Sequence, residues 1–140
     1  MIYPMFAMVL LTLTIGIITF RTRVNSVKSG AVCTRSYKLM DSEDFPENVI
    51  KTGRNFNNQF EIPVLFYVVT LAYLHFNIAD GVALTLAWGF VISRCAHSFI
   101  HLRHNHILHR LLAFWSGVLI VLVLWVYLLI LTSIKIVDVM

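Results

Sequence analysis

The stretch 111–134 reads LLAFWSGVLIVLVLWVYLLILTSI and carries no charged residue. A run of about 18 apolar residues suffices for a membrane-crossing helix, since ~20 residues rising ~1.5 Å each match a ~30 Å hydrocarbon core. Working outward toward the N-terminus, the next such run is 82–102, then IPVLFYVVTLAYLHF at 62–76, then MIYPMFAMVLLTLTIGIITF at 1–20. In a bilayer every backbone N–H and C=O must be paired within the chain, and for runs of this composition helices do that. The expected fold is all-α, an integral membrane four-helix bundle in a single domain covering 1–140. Its spans are expected at about 2–20, 50–76, 82–102 and 110–134.

Composition agrees. Hydrophobic residues make up 59% and charged residues 13% of the 140, against about 25% charged in a soluble domain. A water-soluble monomer is excluded, and so is disorder, which needs the opposite balance. The net charge of +4 does not indicate nucleic acid, because the cations are not spread over one face of a soluble fold. Seven of the eleven Lys and Arg lie between Arg21 and Arg54, and Arg103 and Arg110 sit between the last two apolar runs. Basic loops stay cytoplasmic, so loops 21–49 and 103–110 are expected inside and both termini outside. Positive charges follow the first apolar run rather than precede it, the reverse of a cleaved signal peptide. Cys33 and Cys95 form no CxxC pair and read as two free thiols.

The second helix is expected from about Pro46 to His75, with Pro46 near its first turn and Glu47 at the positive end of its dipole. Its first half is polar. At ~100° per residue Arg54, Asn58 and Glu61 fall on one narrow stripe with Asn57 beside it, and Arg94, His97 and His101 form a matching stripe on the third helix. Glu61 and Arg94 lie at similar depth, ~15 Å and ~14 Å inward from Lys51 and Arg103. Two buried charges are expensive apart and tolerable together, so a Glu61–Arg94 pair facing a cytoplasm-open cavity is expected. A bare interhelix pin is the simpler reading, but it does not need Arg54, Asn57, Asn58, His97 and His101 around it. An anionic ligand with several functional groups does: arginine forks suit carboxylates, and amides suit peptide groups. Pro63 removes an N–H from the Gln59 carbonyl and is expected to kink the helix beside the stripe, either harmlessly or so as to open the pocket.

His97 and His101 stand at metal-ligand spacing, with His104, His106 and His109 following. One crowded tract with no carboxylate beside it argues against a metal or haem site. The last three fit an interfacial loop near lipid headgroups. Phe66, Tyr67, Trp88, Phe90, Trp115, Trp125 and Tyr127 read as lipid-facing or packing residues, some as interface anchors.

Arg54-Asn55-Phe56-Asn57-Asn58-Gln59-Phe60-Glu61-Ile62-Pro63 resembles the Arg…Asn-x-x-Glu…Pro motif in the second helix of the MAPEG family, the membrane-associated proteins in eicosanoid and glutathione metabolism. Ala87-Trp88 followed by Arg94-x-x-His97-x-x-x-His101 resembles that family's third-helix motif, Arg-x-x-His/Tyr-x-x-x-Tyr. Length, four spans and a long first loop match as well. The resemblance implies a homotrimer of MAPEG-like four-helix bundles with glutathione in a cytoplasm-facing cleft between subunits. By matching position, Arg54, Asn58, Glu61, Arg94 and His97 would hold the tripeptide, with Asn57 beside them where several members have arginine. Arg110 matches a family arginine near the thiol or carboxylate. Arg21 or Arg23 would reach in from the neighbour. His101 stands where synthase members have tyrosine. His101 and Arg110 are the implied catalytic residues.

The function so implied is a membrane-bound glutathione-dependent transferase or peroxidase, with glutathione as co-substrate and a lipophilic electrophile arriving from the bilayer. A non-catalytic lipid-binding or scaffold protein on the same fold is the alternative. A small proton-coupled exporter is the third reading, but such proteins carry their membrane carboxylate in the first helix, and here that helix has none.

Overall fold

The computed structural model describes residues 1–38, 45–78, 80–103 and 106–137; the acidic positions Asp41, Glu43 and Asp44, as well as His104, lie outside the described residues. Within them the order is α1 (Ile2–Lys28), α2 (Glu47–Asn57), α3 (Ile62–His75), α4 (Gly81–Arg103) and α5 (Ile107–Val137). Short 3-10 turns cover Thr34–Lys38 and Asn58–Phe60, and no strand occurs among the described residues. With α2 and α3 in series, these helices make four paths, the all-α arrangement expected from the sequence.

α1, α4 and α5 are long and apolar enough to cross a membrane, with mean hydropathies of 2.0, 1.3 and 2.7. The chain is a multi-pass membrane protein. α1 continues past Phe20 through Lys28, which places Arg21 and Arg23 on a helix. It stops where Gly30 takes φ 73°, with Gly30 N–H donating to the Val27 carbonyl. A left-handed residue just beyond the last turn is a common helix stop, and glycine adopts it without a Cβ clash. The chain then folds back: the Tyr37 and Ser26 hydroxyls share a hydrogen bond of 2.7 Å, and Arg23 lies over the Tyr37 ring. At the other end the Asp80 carboxylate accepts the Ala83 N–H at 2.8 Å and caps the start of α4. The expected turn 103–110 is shorter than its sequence suggests, because Ile107 to Arg110 already form the first turn of α5.

The second path departs from the continuous helix expected over Pro46 to His75. α2 ends at Asn57, and Glu61, at φ −94° and ψ −101°, turns the chain before α3 begins. Pro63 has no N–H to continue the α2 ladder, but in the first turn of a new helix none is required. It opens α3 rather than bending a longer helix. The 14 residues of α3 span only ~21 Å at ~1.5 Å each, so this path needs the polar break to traverse a full bilayer core.

The bundle has two unlike halves. Met8, Phe66, Val69, Tyr73, Ala83, Ala87, Phe90 and Leu124 form a buried apolar half, with Phe66 and Phe90 stacked at 4.3 Å. Toward the end where α1 finishes and α5 begins, the buried residues become polar: Thr19, Thr52, Asn55, Gln59, Arg94, His97, Ser98 and His101. α4 and α5 close tightly there at Gly117, where a Cβ would stand 3.0 Å from Ser93 Oγ and 3.5 Å from Arg94 Cδ. Outward faces are apolar: Phe6, Leu13 and Phe20 on α1, and Leu112, Leu119 and Leu129 on α5, are exposed. Exposed apolar surface on this scale needs lipid or another subunit against it.

Candidate functional site

The break at Asn58–Glu61 faces α4 and the first turns of α5 across a cleft of about 410 Å³. Arg54 and Asn57 enter from α2, Asn58 and Glu61 from the break, His97 and His101 from α4, and Arg110 from α5. Ile107, Leu111 and Phe114 complete the wall on the α5 side. Seven of the eight residues singled out in the sequence therefore line one cleft, although the helix expected to carry Arg54, Asn58 and Glu61 is broken between them. Arg54, Asn57 and Glu61 are exposed, while His97 and His101 are buried.

Arg94 is the eighth, and it stands behind the wall. It is fully buried and makes no ion pair with Glu61; among the described residues the ion pair is Lys51–Glu47 at 2.6 Å, on α2. The expected buried Glu61–Arg94 pair is thus corrected. The depth match assumed an unbroken helix. The break instead turns the Asn58 carbonyl inward, where Arg94 Nη2 donates to it at 3.0 Å, and leaves the Glu61 carboxylate at the cleft. The Arg94 guanidinium also lies 5.6 Å from the Phe114 ring centroid, a cation–π contact favoured away from water. Its Nε and Nη1 are buried without hydrogen-bond partners.

The Asn58 side-chain amide bridges the floor. With its nitrogen toward Glu61 it donates to Oε2 and Oε1 at 3.2 and 3.3 Å. An ionised carboxylate only accepts, so this orientation serves ionised Glu61. Turned over, the amide nitrogen reaches His97 Nε2 at 3.4 Å. Each orientation serves one of the two side chains, since His97 Nε2, with Nδ1 donating, and ionised Glu61 are both acceptors. His97 Nδ1 lies 3.2 Å from the Arg110 carbonyl, to which it donates. The His101 ring packs edge-on to His97 at 5.8 Å, and its Nδ1 is buried without a partner.

Two buried amides went unassigned in the sequence. Gln59 Nε2 donates to the Asn55 carbonyl and to Ser98 Oγ, each at 3.2 Å, so Asn55 and Gln59 bind α2 and the break to α4. Phe114, which underlies both Arg94 and His97, was also unmarked. Its only sequence signal is its place one helical turn after Arg110, and an uncharged aromatic run conceals that. Cys33 and Cys95 are free and exposed. Among the described residues no three His, Cys, Asp or Glu side chains converge in a metal-binding group.

A membrane bundle of four helical paths with a polar, two-arginine cleft at one end is the class defined so far. The MAPEG family model matches residues 1–130, and the chain belongs to the MAPEG family. No curated protein and no solved structure matches it.

Proposed function

We propose that this protein is a membrane-bound glutathione-dependent transferase or peroxidase acting on lipophilic electrophiles. The observation that carries this reading is the charge pattern of the cleft: two arginines, Arg54 and Arg110, and one carboxylate, Glu61, around four amide or imidazole groups. Glutathione carries two carboxylates, one ammonium, two peptide groups and a thiol. Arginine forks match the carboxylates, Glu61 matches the ammonium, and Asn57 and Asn58 match the peptide groups. Family membership supports glutathione chemistry in general.

A thiol becomes nucleophilic as the thiolate, which nearby cations stabilise. Arg110 supplies that charge at the α5 wall. His101, whose imidazole lines the cleft, supplies a site for the departing thiol proton. The thiolate sulfur then attacks an electrophilic carbon: a C–S bond forms, the leaving group departs with its electron pair, and the proton passes from His101 to solvent. With a hydroperoxide the thiolate sulfur attacks oxygen instead; the O–O bond breaks to give the alcohol and a glutathione sulfenic acid, and a second glutathione thiol then attacks that sulfur, forming the disulfide and releasing water. The acceptor enters from the bilayer past Ile107 and Leu111. On this reading the termini lie outside and the cleft on the cytoplasmic side, because basic segments stay cytoplasmic. A homotrimer would cover part of the apolar outer faces and bring Arg21 or Arg23 of a neighbour toward the cleft.

The test is conjugation of glutathione to a small aromatic electrophile by detergent-purified protein. Turnover that Arg110→Ala lowers by about 10²-fold, the usual scale for losing a positioned electrostatic group, is expected. Saturable glutathione binding with no turnover of any electrophile or peroxide would point instead to a non-catalytic member.

A further inference from the structure

We propose that the end of the bundle opposite the cleft holds a second site, a cavity at the α3–α4 turn that binds the headgroup of an ethanolamine phospholipid. The cavity encloses about 400 Å³, and Tyr73, Leu74, Asn77, Asp80 and Leu84 are in its lining. It opens beside Gly81, where α4 begins, while His101 of the cleft lies near the other end of that helix. The 23 residues of α4 rise ~34 Å at ~1.5 Å each, so the two sites stand near opposite faces of a ~30 Å hydrocarbon core. Leu74 and Leu84 are exposed, and the cavity's apolar wall therefore continues onto the outer surface of the bundle. The site is independent of the glutathione reading.

Two opposite charges meet on this one turn. α3 ends with Asn77 at φ 52°; the Asn77 N–H donates to the Leu74 carbonyl at 3.2 Å and the Ile78 N–H to the Tyr73 carbonyl at 3.0 Å. Lys135, from the far end of α5, donates to the Phe76 carbonyl at 3.0 Å, a cation at the negative end of the α3 dipole. Asp80 accepts the Ala83 N–H at 2.8 Å, and the Tyr127 hydroxyl of α5 bears on the same carboxylate. Asp80 and Lys135 nonetheless form no ion pair with each other; among the described residues the ion pair is Lys51–Glu47. Each keeps capacity to spare, since an ammonium has three donors and a carboxylate accepts about four hydrogen bonds. A ligand with a cation and an anion side by side satisfies both. A zwitterionic phospholipid is such a ligand: its phosphate meets Lys135 and the Asn77 amide, its ammonium meets Asp80, and its acyl chains leave past Leu74 and Leu84. The ammonium is primary. Ethanolamine donates charge-assisted hydrogen bonds to a carboxylate, whereas choline has no N–H and needs a cage of aromatic faces. The cavity lining offers one ring, Tyr73, which is fully buried with its hydroxyl on the Leu124 carbonyl at 3.0 Å.

The experiment is native mass spectrometry of the detergent-purified protein titrated with phosphatidylethanolamine, phosphatidylcholine and phosphatidylglycerol of one short acyl length. Wild type should bind phosphatidylethanolamine about tenfold more tightly than phosphatidylcholine, the scale of one charge-assisted contact. Asp80→Asn still caps α4, because asparagine also accepts the Ala83 N–H; it should weaken phosphatidylethanolamine about tenfold and abolish the preference. Lys135→Gln should weaken both zwitterionic lipids alike, since they share the phosphate. Soluble glycerophosphoethanolamine at equal concentration should not displace the lipid. Thermal unfolding reports whether each variant folds, and the wild-type comparison of the three lipids stands without any variant. Equal wild-type affinity for phosphatidylethanolamine and phosphatidylcholine overturns the proposal, as does tighter binding of phosphatidylglycerol, which has no ammonium. A preference that survives in folded Asp80→Asn overturns it too, and displacement by the soluble headgroup would make this a site for a water-soluble zwitterion instead.

Discussion

Arg94 is buried to 0% exposure, and its hydrogen-bond partner is a backbone carbonyl exposed by a helix break rather than the carboxylate of Glu61. Losing it leaves the Asn58 carbonyl buried without a donor, so Arg94→Met should destabilise the fold by about 1–3 kcal/mol, the cost of one unsatisfied buried group. Thermal unfolding in detergent measures this; wild-type stability in Arg94→Met would mean that the carbonyl finds another donor. His101 carries the pH prediction. Its imidazole accepts a thiol proton only while neutral, and histidine changes charge within the range where enzymes work. The conjugation rate should therefore fall on the acid side. Tyr at this position still donates a hydrogen bond to the thiolate but does not titrate there, so His101→Tyr should keep activity and flatten the acid limb. Three superimposable pH–rate profiles for wild type, His101→Tyr and His101→Phe would remove His101 from the chemistry. The sequence disclosed these residues because helical spacing groups Arg54, Asn58 and Glu61, and separately Arg94, His97 and His101. It did not disclose which of them faces the cleft, since a stripe fixes direction around a helix and not the depth of a neighbouring wall.

At the scale of elements, the uncharged runs 1–20 and 111–134 were legible because nothing but a helix pairs their backbone in lipid. The second path was only half legible. Pro63 marked a disturbance, but a proline two residues after Glu61 is compatible with a kink or with a fresh helix start, and the structure takes the second course. That choice frees the Asn58 carbonyl for Arg94 and leaves Glu61 at the cleft. Pro63→Ala restores a donor for the Gln59 carbonyl and lets α2 run on into α3. Far-UV helicity should rise slightly, and glutathione affinity should fall about tenfold as Glu61 turns away, the scale of one lost charged contact. Unchanged affinity would show that the cleft does not depend on the break. Packing of α4 on α5 gives a second handle at Gly117, where a new side chain meets Ser93 and Arg94. Gly117→Leu should destabilise by about 1–3 kcal/mol through overpacking, seen as a lower unfolding temperature.

Across the whole molecule, the apolar half of the bundle anchors it in lipid while the polar half gathers its titratable groups at one end. Composition alone made the membrane class plain, and two short motifs led to the family. Subunit assembly is a different matter: the apolar faces of α1 and α5 look alike to lipid and to a neighbour, so nothing in their residues separates the two. The claim on which the rest depends is that the cleft between the α2–α3 break and α5 takes glutathione, with Glu61 holding its ammonium. Titration calorimetry of detergent-purified wild type and Glu61→Gln against glutathione tests it directly. Saturable binding by wild type, weakened about tenfold or more in Glu61→Gln as befits one lost charge-assisted contact, is the predicted result; no binding by wild type, or equal affinity in the two proteins, would contradict it.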